Sequence, residues 1–430
     1  MSEISIVLGL ALLMFVVYKR VNMVVGSLLA SLVVLVLSRL AIINGLTDTW
    51  ITGFADFVKS YYLTFALCAL FGKVMEDTGC AAVIAKSVYK LLGDRFSIYG
   101  CILATTIIVY GGVVSFVAVF TVYPIFLAVF KQANLPRRFI PAAIYMPLAT
   151  YVSNMIPGAV GLPNLITSQA LGTPLTAGAT IGILCTILTI ILQVIYFEWE
   201  FRRARKRGQG FECTPDIQTQ IDSLEHMGDG NVWLSLIPFA VVLILLNVFK
   251  WNVLVSITTA ILVALVIFHR SMKGKLLKCV NTGIGNAADT LINTSAAVAF
   301  GSVVKITAGF TAIIALINAL PFSPLFSFGL AIEVLCGACG SASGGLAISL
   351  QSLAPRLLEL GYNPEIIHRV AAIAACGLDS LPHCGLVVTI ISYCGMTHKE
   401  SYAPICMISV VITFIAFLFS VLLGGIMYPL

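Results

Sequence analysis

The chain has 430 residues, 59% of them hydrophobic and only 10% charged, with a mean hydropathy of +1.02. Soluble domains run at about a quarter charged residues, so the solvent for most of this chain must be lipid. The net charge of +6 argues nothing for nucleic acid, because Lys and Arg gather in short polar segments that membrane topology explains.

In chain order, residues 4–18 form the first apolar segment. No basic stretch precedes it, and Lys19-Arg20 and a second apolar run follow, so it reads as a retained membrane helix rather than a cleaved signal. Further segments are expected near 22–43, 59–75, 139–170 and 175–199, and then near 232–249, 251–268, 286–306, 369–395 and 403–427. Two long runs stand apart, Ser97 to Phe130 and Pro324 to Leu360. The first contains no Asp, Glu, Lys or Arg and exceeds the ~20 residues that span a bilayer as a helix. Each is broken centrally by small residues, Gly111-Gly112 in one and Gly337 to Gly345 in the other. Both predict helical hairpins that enter the membrane and return to the same side, tolerated only where protein or a water-filled cavity surrounds their tips.

Arg202, Arg203, Arg205, Lys206 and Arg207 fix the polar connector that holds them in the cytoplasm. Counting spans both ways from it places Lys19-Arg20, Lys131 to Arg138 and His269 to Lys278 on the same side, with both termini outside. The expected architecture is all-α and polytopic: about ten transmembrane helices plus two re-entrant hairpins. Residues 1–200 make a first repeat with hairpin 97–130, 201–230 a cytoplasmic connector, and 231–430 a second repeat with hairpin 324–360. Five spans per repeat is an odd number, so the two repeats must be inverted.

Local matches at a near-constant offset support the duplication. Phe71-Gly72-x-Val74 resembles Phe300-Gly301-x-Val303; Gly112, Ser115 and Pro136 align with Gly340, Ser343 and Pro364; Asn154-x-x-Pro157 aligns with Asp379-x-x-Pro382.

In inverted-repeat carriers the substrate lies where helices break near the midplane and half-helix N-termini aim N–H groups at an anion. The candidate binding residues are therefore Gly112 and Ser115 at the first hairpin tip, Ser153 and Asn154 before Pro157, and Gly340, Ser341, Ser343 and Gly344 at the second tip. Ser380 and His383 flank Asp379 in the second break. Glycine and serine there offer amide and hydroxyl donors in place of a carboxylate's lost water, although close helix packing uses the same small residues. Asp379 is the only charged residue between Arg369 and Lys399. A mid-bilayer charge costs about 2.5 to 3.5 kcal/mol even on lenient scales, so Asp379 is expected to face a cavity or to take up a proton, as a coupling residue would. Glu333, in the first arm of the second hairpin, is expected to pair within the protein. The twelve Cys fall mostly in apolar stretches, and Cys336-x-x-Cys339 lacks the further ligands a zinc site needs. No HExxH or GxSxG pattern appears, so no enzyme, metal or cofactor is expected.

Gly340-Ser341-Ala342-Ser343-Gly344-Gly345, the run from Ile367-His368-Arg369-Val370 through Gly377-Leu378-Asp379-Ser380-Leu381-Pro382-His383-Cys384-Gly385, and Thr397-His398-Lys399-x-Ser401-Tyr402 resemble the gluconate permease family of proton symporters. The resemblance covers the second half closely and the first half loosely. It implies a carboxylate imported with protons across the bacterial inner membrane, on a fold like that of the wider ion transporter superfamily. The loop Ser153 to Asn164 departs from the sugar-acid branch and looks more like the hydroxybutyrate permeases, which sets a short hydroxy-monocarboxylate beside gluconate. Alternating access by movement of one bundle is expected, with the outer pairs 4–43 and 232–268 as scaffold or homodimer surface. Sodium coupling is the competing expectation, and a non-transporting membrane subunit or enzyme the remote one.

Overall fold

A computed structural model describes residues 2–19, 21–84, 87, 97–112, 115–222, 230–312, 323–382 and 384–429; among these there is no β-strand. The chain opens with α1 (Ser2–Tyr18) and α2 (Met23–Leu37), and α2 starts where the Asn22 side chain accepts the Val24 N–H at 2.8 Å. Next comes α3 (Ile42–Asp77), which carries a π-helical turn at Gly45–Trp50. It begins well before the apolar segment expected at residue 59. Asp48, Asp56 and Lys59 lie on its exposed side, whereas Trp50, Phe57 and Tyr61 turn inward. A one-sided helix of this kind has a buried stripe without being apolar throughout.

Two helix pairs and two interrupted spans follow. The helices α4 (Ser97–Tyr110) and α5 (Ser115–Gln132) pack on each other. Then α6 (Ile140–Met146) continues through a π-helical turn (Pro147–Tyr151) into Val152–Asn154, where it stops. Helix resumes as α7 (Leu162–Leu171), followed by α8 (Ala179–Lys206) and the short α9 (Pro215–Asp222). The same order then recurs: α10 (Val232–Asn247), α11 (Val253–Ile267), α12 (Leu276–Lys305), the packed pair α13 (Pro324–Cys339) and α14 (Ala342–Glu359), α15 (Pro364–Ala374), α16 (Gly385–Tyr393) and α17 (His398–Met427). The N-cap of α11 repeats that of α2, with Asn252 accepting the Leu254 N–H at 2.9 Å.

The leading helices interlace. The long helices α3 and α12 lie along each other, α2 packs on α12, and α11 packs on α3, so each opening pair rests on the long helix of the other half. A buried hydrogen-bond chain stitches this layer: Trp50 Nε1 donates to Ser27 Oγ at 2.8 Å, and Ser27 donates to the Ala296 carbonyl at 2.5 Å. On the far side α8 packs against α17.

Among the described residues three helices, Ile42–Asp77, Ala179–Lys206 and His398–Met427, are long and apolar enough to cross a membrane, and the bent pair α15 and α16 qualifies as a fourth. Eight further apolar helices among the described residues run 10–17 residues. At 1.5 Å per residue the 15-residue α2 and α11 are only about 22 Å long, short of the ~30 Å hydrocarbon core.

Candidate functional site

The first interruption lies between Asn154 and Leu162. Pro157 supplies no N–H, and Gly158 adopts a left-handed φ of +80°, where an added Cβ would come within 2.6 Å of Asn247 Oδ1. The unwound segment is tied on three sides. Gly158 N–H donates to the Leu175 carbonyl at 3.0 Å, Tyr110 OH from the end of α4 donates to the Pro157 carbonyl at 3.1 Å, and Asn247 Nδ2 donates to the Gly158 carbonyl at 3.3 Å.

Its main support comes from α15. Arg369 is fully buried, and its guanidinium spends its donors on main-chain carbonyls around the break: Nε to Ala177 at 3.0 Å, Nη1 to Met155 at 3.1 Å and Asn154 at 3.4 Å, and Nη2 to Ala177 at 2.7 Å and Leu175 at 3.2 Å. Among the described residues no carboxylate pairs with it. The fixed planar fork of Arg suits this task as a Lys ammonium would not. Gly178 and Gly182 clear its path, since a Cβ at either would approach the side chain within 2.7 and 3.1 Å. The neighbouring His368 bridges Thr173 Oγ1 at 2.6 Å and Asn164 Oδ1 at 2.7 Å, while Asn164 Nδ2 donates to Ala159 and Leu175. Sequence reasoning missed this role for both residues. The available signal was two adjacent basic side chains inside the apolar run that starts at Ile366.

The second interruption follows Ala374, passes through a 3₁₀ turn at Leu378–Ser380 and ends where helix resumes at Gly385. Asp379 is 7% exposed and accepts Ser380 Oγ–H at 2.8 Å; Ser380 in turn accepts Tyr145 OH at 2.9 Å. Tyr402 OH donates to the Ser380 carbonyl at 3.2 Å. The two interruptions are joined directly, because Asn154 Nδ2 donates to the Ala372 carbonyl at 3.0 Å.

Each interruption also carries a hairpin tip. At the second, Gly340 turns the chain at φ +58°, and Ser341 caps α14 by accepting the Gly344 N–H at 3.4 Å. Ser343 lies 3.2 Å from Ser341, hydroxyl to hydroxyl. Gly345 lets the two arms touch, since a Cβ there would fall 2.4 Å from the Cys336 backbone. The α13 arm then seats on the second break: a Cβ at Gly337 would meet Leu378 Cβ at 2.7 Å, and Glu333 Oε2 accepts the Leu378 N–H at 2.7 Å. At the first tip Gly112 takes φ +98° beside Val160 of the first break.

Asp379 and Ser380 therefore lie together in the second break, Asn154 reaches the helix that leads into it, and Gly340, Ser341, Ser343 and Gly344 form the tip of the hairpin whose α13 arm docks on that break. Gly112 docks on the first break instead. Ser153 turns back along its own helix, donating to the Leu148 carbonyl at 2.8 Å. His383 and the side chain of Ser115 lie outside the described residues. Glu333 pairs within the protein, as expected, but with a backbone N–H and not with a cation.

The chain is similar to transporters by every comparison. A protein of Bacillus subtilis (strain 168), the uncharacterized transporter YxjC, is 28% identical over 456 aligned residues, covering 96% of this chain and 97% of that one. The YdaH transporter of Alcanivorax borkumensis superposes with a TM-score of 0.59 at 17% identity, over 89% of this chain and 88% of the other. MtrF of Neisseria gonorrhoeae, from a class of antimetabolite efflux pumps, gives 0.55 at 13%, over 90% and 84%. At those identities the two solved structures establish the fold alone, a helical transporter fold. The family model of the GntP family permeases matches residues 1–254, more than half of the chain. The chain thus belongs to the GntP permease family: it is a multi-pass membrane transporter, not an enzyme.

Proposed function

We propose that this permease carries a small organic carboxylate together with protons, binding the anion where the two interruptions meet and using Asp379 as the coupling residue. The observation that carries the reading is the junction itself. Asn154 of one break bonds to the chain just before the other at Ala372, and Asp379, the carboxylate of that second break, is linked through Ser380 to Tyr145 of the opposite half. A buried carboxyl that can shed its charge by taking up a proton is a natural place to tie anion movement to a pH gradient. The Ser341-capped start of α14 supplies N–H donors for a carboxylate.

The repeated element order, the matching caps at Asn22 and Asn252 and the interlaced packing support two inverted repeats, in which both hairpins are re-entrant and the connector 201–230 is cytoplasmic. The same layer of α1 to α3 and α10 to α12 is the natural scaffold and homodimer surface. The hairpins and broken spans would then move against it in an elevator-type cycle in the bacterial inner membrane. A gluconate-like sugar acid or a short hydroxy-monocarboxylate such as 3-hydroxybutyrate is the expected substrate class.

The test is uptake of radiolabelled gluconate and 3-hydroxybutyrate into proteoliposomes under an imposed pH gradient, in sodium-free and sodium-containing buffer. Asp379→Asn should lose pH-driven uptake while counterflow exchange stays measurable. Uptake that needs sodium and ignores pH would replace the proton, and pH-driven uptake surviving in Asp379→Asn would remove that residue from coupling.

A further inference from the structure

A buried acid outside the proposed binding cluster has half of its carboxyl group unaccounted for. Glu333 is 0% exposed, sits in α13 two turns before the hairpin tip, and bonds through Oε2 to the Leu378 N–H at 2.7 Å. Oε1 is buried and has no hydrogen-bond partner. The fit around it is close, because a Cβ added at Gly377 would stand 2.0 Å from Oε2 and 2.3 Å from Oε1.

Leu378 and Gly377 touch Glu333, so among the described residues the ionisable groups beside it are Asp379, next in the 3₁₀ turn, and Cys376, just before at the end of α15. From α14, α1 and α17, which also pack on α13, no Lys, Arg or His among the described residues comes within ion-pair distance of it; α15 packs there too, but its Arg369 and His368 are committed to the carbonyls and side chains around the first break. An ionised carboxylate here would face another acid and no cation, an unfavourable arrangement in a low-dielectric setting. A proton removes that cost. A metal ion fits poorly, because Oε2 is already committed to an N–H donor and no group of three acidic, His or Cys side chains able to hold a metal occurs among the described residues.

We propose that Glu333 is a second proton-carrying group of the transport site, exchanging one proton with Asp379 across the Gly377–Leu378 turn. The inference rests on the proton-coupled reading above. The proton leaves Asp379 as its carboxyl ionises and arrives on Oε1 of Glu333, or makes the reverse trip, so the pair holds one negative charge throughout the exchange. Glu333 belongs to the hairpin and Leu378 to the broken span, so the exchange alters the charge at the contact between them. Loading a proton keeps the tip seated on the break. Losing it to one side of the membrane leaves two adjacent carboxylates that push the tip off.

Two measurements test this. In proteoliposomes with 3-hydroxybutyrate and gluconate, the pH profile of exchange is compared between wild type and Glu333→Gln, an isostere that still accepts the Leu378 N–H but binds no exchangeable proton. The variant should show a flattened profile and lose most of its pH-driven accumulation, as expected where an intramembrane acid carries the proton, and Glu333→Asp should restore part of the pH dependence. The second uses unmodified protein: dicyclohexylcarbodiimide, which attacks protonated carboxyls in apolar surroundings, should label Glu333, and the labelling should fall as pH rises. A Glu333→Gln profile superimposable on wild type, or labelling confined to Asp379 at every pH, overturns the inference while the proton-coupled reading stands. Sodium-driven, pH-independent uptake by the wild type overturns that reading, and this inference with it.

Discussion

Tyr145 and Ser380, 235 positions apart in sequence, meet hydroxyl to hydroxyl at 2.9 Å, and Ser380 hands its own proton on to Asp379 at 2.8 Å. The first half thereby reaches the carboxyl of the second through two ordered hydroxyl groups. Tyr145→Phe removes the outer donor and leaves a fully buried serine oxygen short of one bond, at a cost of about 1 kcal/mol. If that cost falls on the transport step, pH-driven uptake drops about fivefold. Uptake rate and detergent melting curves would reveal it, and an unaltered rate would mean that the contact carries no orienting role.

Arg369 should be the least replaceable side chain around the two interruptions. Arg369→Ala strands the carbonyls of Asn154, Met155 and Ala177 in a dry interior, while Leu175 keeps its Gly158 and Asn164 donors; at about 1 to 3 kcal/mol per carbonyl left unpaired, the loss is large. Arg369→Lys should recover only part of it, because one ammonium cannot reproduce the planar fork. Monodisperse yield and melting temperature report on this; a Lys variant as stable as wild type would contradict the assignment.

The His368 bridge lends itself to a double-mutant cycle. Thr173→Val alone should cost about 1 kcal/mol, as the loss of one neutral hydrogen bond does. The same change in a His368→Ala background should cost much less, since the partner is already gone. Additive losses would show that the 2.6 Å contact is energetically idle.

Gly345→Ala puts a methyl group 2.4 Å from the Cys336 main chain and should splay α13 from α14, at about 1 to 3 kcal/mol and with loss of uptake. Gly285→Ala in α12 is the matched control. Nothing lies within 4 Å of that site, so the change should be neutral or stabilising by about 0.4 to 1 kcal/mol. Equal behaviour of the two variants in melting and uptake would refute the close-approach argument.

The interruptions were legible because their causes are local. Pro157 and Gly158 forbid a continuous helix, and the Gly-Ser run 340–345 advertises a turn whichever residues surround it. The extent of α3 was not legible from hydropathy, since Asp48, Asp56 and Lys59 dilute an average that only the burial of Trp50, Phe57 and Tyr61 explains. The task of Arg369 was hidden for a different reason. Its partners are main-chain carbonyls that any residue type would present, and they lie 192 to 215 positions upstream. Glu333 stood out as a charge at depth, but the N–H it receives comes from Leu378, whose identity says nothing about hydrogen bonding.

That separation sets a schedule for biogenesis. At about 5 to 20 residues per second, a ribosome needs roughly 10 to 40 s to travel the 192 residues from Ala177 to Arg369. Throughout that interval the nascent first half sits in the bilayer with the Asn154, Met155 and Ala177 carbonyls waiting for a guanidinium that does not yet exist. Water, lipid headgroups or the insertion machinery must cover them meanwhile, and a chain severed in the 201–230 connector would have to recruit its missing cation from a second polypeptide.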